Sequence, residues 1–135
     1  MHEVFEHTAD LGLRIRAASQ AELFAEAAIA IRELLVSSVV HEKLEHHVSI
    51  TNSEPALLFF DWLNELLYLF DAEGYITTCA TLSIDQNTLH ATLFGEPLDI
   101  SRHQLEHEVK AITYHQLKAE QLANGEWLAE VILDI

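Results

Sequence analysis

The sequence predicts an α+β fold, a single compact domain in which a mixed β-sheet of about six strands packs with two long helices. Three observations predict it. Two segments place apolar residues at helical spacing, several shorter ones alternate with period two, and turn residues separate them. A chain of 135 residues suits one domain, and at that length folding buries most of the unfolded surface.

Residues 11–17 alternate, with Leu11, Leu13 and Ile15 on one side and Gly12, Arg14 and Arg16 on the other, which describes a half-buried strand. Ser19 stands three residues before Glu22, the capping-box spacing that satisfies orphan N–H groups at a helix start. Leu23, Ala27, Ile31 and Leu34, with Phe24, Ala28 and Leu35, then form one wide apolar face, predicting a helix over about 20–36. Residues 43–51 carry Leu44, His46, Val48 and Ile50 in period two, a second strand. Pro55 after Asn52-Ser53-Glu54 opens a second helix, because a missing N–H costs nothing in the first turn. That helix, about 55–72, is apolar almost all round. Its polar stripe of Asp61, Asn64, Glu65 and Tyr68 faces solvent or a polar seam, and Gly74 ends it.

Strands over 75–84 and 88–94 follow, joined by Asp85-Gln86-Asn87, and residues 95–99 read as a loop. Strands over 109–120 and 127–133 complete the set across Asn124-Gly125, both of which tolerate positive φ.

The formal charge is −15, from 22 acidic against 7 basic residues. Proteins gain affinity for nucleic acid by neutralising phosphates, so direct RNA or DNA binding is not expected of this chain. A negative field favours basic protein grooves and hard cations, although acidity also simply keeps proteins in solution. Cys79 is the single cysteine, so no disulfide staples the fold and no oxidising compartment is implied. The start lacks a basic run followed by an apolar one. The most apolar stretch, 55–70, is interrupted by Asp61, Asn64 and Glu65, whereas a bilayer span needs roughly 20 predominantly apolar residues. A soluble, cytoplasmic protein with no membrane contact is expected.

His103-Gln104-Leu105-Glu106-His107 matches the inverted zincin pattern, but its flanks read as a strand, where i and i+4 do not form a helical metal face. His46 and His47 point to opposite sides of a strand and with His41 read as surface histidines. Cys79 has no sequence neighbour to activate it and reads as a buried structural thiol. No phosphate loop, nucleophile elbow or Cys-x-x-Cys is present. The carboxylates are more informative. Asp10 sits where a leading segment meets the first strand, and Asp134 is followed only by Ile135 and its terminal carboxylate. Adjacent hard oxygens of that kind suit Ca²⁺, Mg²⁺ or Mn²⁺ if a third group joins them; the plainer reading is a frayed acidic tail. Val131-Ile132-Leu133 argues against fraying, since it carries the end of the chain as a strand. The polar run 95–103 reads equally as a shaped turn or a functional loop, and Lys110 alone reads as a snorkelling surface residue.

Four blocks together resemble the archease family: Glu6-His7-Thr8-Ala9-Asp10-Leu11-Gly12-Leu13-Arg14, the run from Trp62 to Asp71, Gly95-Glu96-Pro97-Leu98-Asp99, and Arg102-His103 leading into residues 108–115. The ending, residues 127–135, is also similar, so the resemblance covers one archease-like domain over 1–135. It implies an accessory protein, not an enzyme, that assists an RtcB-type RNA ligase in tRNA splicing and RNA repair. The implied role is to promote guanylylation of the ligase and to allow multiple turnover. The family's metal-binding positions match Asp10, Asp134 and the terminal Ile135, with calcium as the implied ion and Mg²⁺ or Mn²⁺ as alternatives. The family's functional lysine matches Lys110. The resemblance assigns no site role to the polar stripe of the second helix. His107, His46-His47 and residues 36–53 carry none of the family pattern. Competing readings are a chaperone-like or generic protein-interaction module and a free-standing metal-dependent hydrolase.

Overall fold

In the computed structural model, which describes every residue except Thr8 and Ala9 and gives His7 through its backbone alone, the period-two segments become strands of two antiparallel sheets. In chain order the elements are β1 (His2–His7), β2 (Asp10–Ala17), α1 (Gln20–Leu35), β3 (Leu44–Thr51), α2 (Pro55–Glu73), β4 (Tyr75–Asp85), β5 (Thr88–Pro97), β6 (Ala111–Ile112), β7 (Lys118–Gln121) and β8 (Trp127–Asp134). One sheet runs β1-β2-β8, with β6 and β7 both pairing the far edge of β8; the other runs β3-β5-β4.

The α+β class and the two helices stand, while the single mixed sheet of about six strands is corrected, among the described residues, to eight strands in two antiparallel sheets. The reasons are local. Strand β1 pairs with β2 as a hairpin, yet Val4 is 45% exposed and the segment carries little apolar alternation to announce it. The apparent strand 109–120 is split by a turn in which the Leu117 N–H bonds the Tyr114 carbonyl at 3.2 Å and Gln116 takes φ 55°. Helix α2 links β3 to β4, and both then pair with β5 from opposite sides.

The helix ends follow the sequence signals. The Ser19 hydroxyl accepts the Glu22 N–H at 3.2 Å, and Gly74 closes α2 at φ 61°. The Asn52 side chain accepts the Glu54 N–H at 3.1 Å just before Pro55. Between β4 and β5 the positive-φ residues are Gln86 at 49° and Asn87 at 65°; between β7 and β8 Gly125 takes φ 92°, and Asn124 is not among the positive-φ residues.

Residues 95–97 are the end of β5 rather than a loop. Glycine is needed there: a Cβ on Gly95 would lie 1.8 Å from the Ile76 carbonyl oxygen, at the point where β4 bulges between Thr77 and Cys79. Both helices contribute to one core with the sheets. Phe24 of α1 meets Phe59 of α2 edge-on at 5.2 Å, and the Trp62 indole N–H donates to the Phe24 carbonyl at 2.9 Å. From the larger sheet, Leu13, Ile15, Ala129, Val131 and Leu133 face the same core. Among the described residues no helix is long and apolar enough to cross a membrane.

Candidate functional site

Strand β8 lies between β2 on one side and β6 and β7 on the other. Its register with β2 sets Leu11 opposite Leu133, so the next position along each strand brings Asp10 opposite Asp134. Directly opposed residues share a face, with Cβ atoms roughly 4.5–5.5 Å apart. Leu133 is fully buried and Leu11 packs on the core, so alternation turns both aspartates to the other face. Both are half-buried, and neither carboxylate has a hydrogen-bond or ion-pair partner among the described residues.

The end of β8 is held from its other side as well. Ala111 pairs with Asp134, and the Lys110 N–H bonds the Asp134 carbonyl at 2.7 Å. The Ile135 side chain packs against the core, which ties down the terminus. Asp10, Lys110, Asp134 and Ile135, all singled out in the sequence, therefore meet at one end of one strand. The His7 side chain, Thr8 and Ala9, from the same sequence block as Asp10, lie outside the described residues.

Five of the seven cations are paired with glutamates. Arg14 bonds Glu130 at 2.7 Å and Glu3 at 2.6 Å, Lys118 approaches Glu130, Arg32 approaches Glu33, and Lys43 and Arg102 serve Glu96. Lys110 makes no ion pair among the described residues. The row of the sheet beyond the aspartates is thus neutralised by Arg14, which also sits 4.6 Å over the Phe5 ring. That ring covers Gly12, where a Cβ would come within 2.2 Å of it.

Among the described residues no three His, Cys, Asp or Glu side chains converge as a metal site. Asp10 and Asp134 bring two hard carboxylates to one face. Hard oxygens of this kind are the donor type that Ca²⁺ and Mg²⁺ take.

A second carboxylate centre went unrecognised in the sequence. Glu96 is 1% exposed and surrounded by donors. The His41 N–H reaches its Oε2 at 2.5 Å, Arg102 bonds Oε1, and Lys43 Nζ stands 3.8 Å from Oε1. The Asp99 N–H donates to His103 Nδ1 at 2.9 Å, so the ring proton sits on Nε2 and is donated to Glu96 at 3.2 Å. Burial, the largest single influence, opposes ionisation of Glu96. The His41 N–H, His103 and Arg102 together outweigh it and bring the carboxyl down to about 2. An open cleft of ≈ 400 Å³ lined by Lys43, Leu44, Glu96, Pro97, Asp99 and Arg102 lies over it. The signal that could have found this anchor was Gly-Glu-Pro at a strand end with Arg102-His103 downstream.

The remaining sequence candidates settle as structure. Residues 103–110 form no helix, bonding Leu35 and Leu34 carbonyls through the Glu106 and His107 N–H groups at 3.0 Å each, so His103 and His107 share no helical face. His46 meets Tyr75 edge-on, whereas His47 bonds Thr92 on the exposed face. Cys79 is half-buried and bonds Glu42; burial first, then Glu42, pushes its thiol up to about 11.

Taken together, these features define an acidic α+β domain of two antiparallel sheets that brings Asp10 and Asp134 together where the last strand ends. The chain belongs to the archease family: residues 2–135 match the Archease protein family (MTH1598/TM1083). It is 35% identical to the protein archease of Pyrococcus furiosus, over 98% of this chain and 97% of that one. Against the protein archease of Methanosarcina mazei it is 32% identical, over 99% and 95%. The solution structure of Methanobacterium thermoautotrophicum protein 1598 superposes with a TM-score of 0.80 at 31% identity, covering 99% of this chain and 98% of that one.

Proposed function

We propose that this protein is a non-enzymatic activator of an RtcB-type RNA ligase, acting in the cytoplasm in tRNA splicing and RNA repair. It promotes guanylylation of the ligase and allows multiple turnover. Asp10, Asp134 and the terminal carboxylate of Ile135 hold a divalent cation, calcium by preference and Mg²⁺ or Mn²⁺ as alternatives. The observation that carries this reading is the meeting of Asp10 and Asp134, neither with a side-chain partner among the described residues, with the Lys110 N–H bonded alongside. Family membership supports the partner class.

The bound ion would supply positive charge and a template for oxygen ligands. The chain's own residues do the rest. Asp10 and Asp134 present hard oxygens on one face, Ile135 anchors the terminus in the core, and Lys110 offsets excess negative charge or contacts a phosphate. A surface of net charge −15 repels RNA but complements a basic ligase cleft.

The test is multiple-turnover RNA ligation by the cognate ligase, with and without this protein and its Asp10→Ala variant. Stimulation by the wild type and none by the variant is expected. No stimulation by the wild type overturns the reading, and equal stimulation by both discards the cation site. Turnover of a phosphoester by this protein alone would favour a hydrolase.

A further inference from the structure

Helix α2 buries Leu58, Phe59, Trp62, Leu63, Leu66, Leu67 and Leu69, while Phe60, Asp61, Asn64 and Glu65 form a half-buried band that ends at the exposed Tyr68. The helix contains no lysine or arginine. Over the first part of that band lies Tyr114, stacked on Phe60 with ring centroids 4.0 Å apart and planes at 17°. One face of the tyrosine ring is thereby covered, yet the residue remains 65% exposed.

Tyr114 is also held in place. On one side Thr113 bonds the Ile132 carbonyl through its N–H at 3.1 Å and its hydroxyl at 2.9 Å; on the other the Leu117 N–H closes onto the Tyr114 carbonyl. A rigid aromatic plate with one open face binds a flat partner at little entropic cost. The plate stands three residues beyond Ala111, which pairs with Asp134, so it lies about 10 Å of strand from the candidate cation site.

We propose that the open face of Tyr114, backed by Phe60, seats an arginine of the basic protein partner. This rests on the ligase reading above. Two flat groups could stack there, a guanidinium or a nucleobase. Charge decides between them. Asp61 directly follows Phe60 on the helix, and the whole chain carries −15, which attracts a guanidinium and repels the phosphates attached to any base. The stack gives the arginine a π face, and the acidic surface favours its charge.

Calorimetric titration of the full chain with its cognate ligase tests the proposal, with a single-stranded RNA oligonucleotide as a separate titrant. Tyr114→Ala should weaken ligase binding about tenfold, and Tyr114→Phe should stay within about twofold. Tyr114→Ile, which still covers Phe60 but has no π face, should lose as much as the alanine variant. Calcium affinity should not move in any of them. Wild-type affinity in both Tyr114→Ala and Tyr114→Ile overturns the seat while leaving the ligase reading intact. RNA binding by the wild type that is lost in Tyr114→Ala overturns it in favour of a nucleobase. A wild type that binds no ligase removes the parent reading, and the seat falls with it.

Discussion

The molecule builds two carboxylate centres by opposite rules. Glu96 is almost fully buried and receives donors from the His41 backbone, His103, Arg102 and Lys43. Asp10 and Asp134 are half-buried at a strand end and have no such partners among the described residues. In a chain with only seven lysines and arginines, two are committed to one glutamate. A buried carboxylate is costly unless every lone pair is met, so Glu96 has the marks of a structural anchor. A carboxylate pair left without donors is available to a cation from outside. Burial with partners, not acidity, separates the scaffold from the site.

The contrast breaks most severely at Glu96. Glu96→Ala should cost roughly 3–5 kcal/mol, measured by chemical denaturation, because it strands the buried His103 and leaves Arg102 without its partner. Glu96→Gln should cost less, since it keeps the shape and part of the hydrogen bonding. A cost near zero for the alanine variant would remove the anchor from the account.

Two glycines sharpen the same comparison at about 1–3 kcal/mol, the scale of overpacking. Gly95→Ala meets backbone, the Ile76 carbonyl, which cannot swing away. Gly12→Ala meets the Phe5 ring, the far end of a side chain that can. The first should therefore sit at or above the top of that range and the second near its bottom; thermal melts that reverse the order would contradict the placement of Gly95 in β5.

Asp10→Asn and Asp134→Asn should change stability by no more than about 0.5 kcal/mol without divalent ions, since neither side chain has a partner to lose among the described residues. With calcium present the wild type should melt higher and both variants should not. A calcium-dependent rise in Tm that survives both substitutions would place the ion elsewhere.

Titration separates the centres once more. Glu96 has its carboxyl lowered in the folded state, so its contribution is complete above the unfolded value near 4.5 and is lost as pH falls towards about 2. His2 behaves oppositely. Burial opposes its charging, but bonds to Glu26 and Glu33 outweigh that and raise its pKa. Its contribution is complete below 6.5 and fades as pH rises through the raised folded value. Amide exchange in β1 should accordingly quicken on the alkaline side while the Glu96 segment stays protected. The effect is expected to be the smallest of the set, because the His2 pair with Glu33 is partly exposed.

Much of the secondary structure was legible from neighbours in the sequence. Ser19 and Glu22 marked the start of α1, Pro55 and Gly74 bounded α2, and Leu11, Leu13 and Ile15 showed their alternation. The stripe Asp61, Asn64, Glu65 and Tyr68 was readable as one band of α2. Strand β1 was not readable, because its pairing with β2 is carried by register rather than by an apolar pattern of its own. The break at Gln116 was hidden inside a stretch with strand-forming residues on both sides. The candidate site was half visible. Asp134 and Ile135 are neighbours in sequence, but Asp10 joined them only through resemblance to archeases.

The sequence by itself determined the local periods, the helix caps, the acidic surface and the membership of the archease family. Those depend on residue types and on spacings of two to four positions, where backbone geometry acts directly. Tertiary structure alone decided which ends of the chain meet, that the strands divide into two sheets, and that Glu96 is a satisfied interior charge. Each of these follows from register and packing between distant segments: Leu11 seated against Leu133 sets Asp10 beside Asp134, and the bulge in β4 brings Ile76 onto Gly95. Apolar faces must match across the whole core before any such neighbour exists, and no short window of sequence contains that condition.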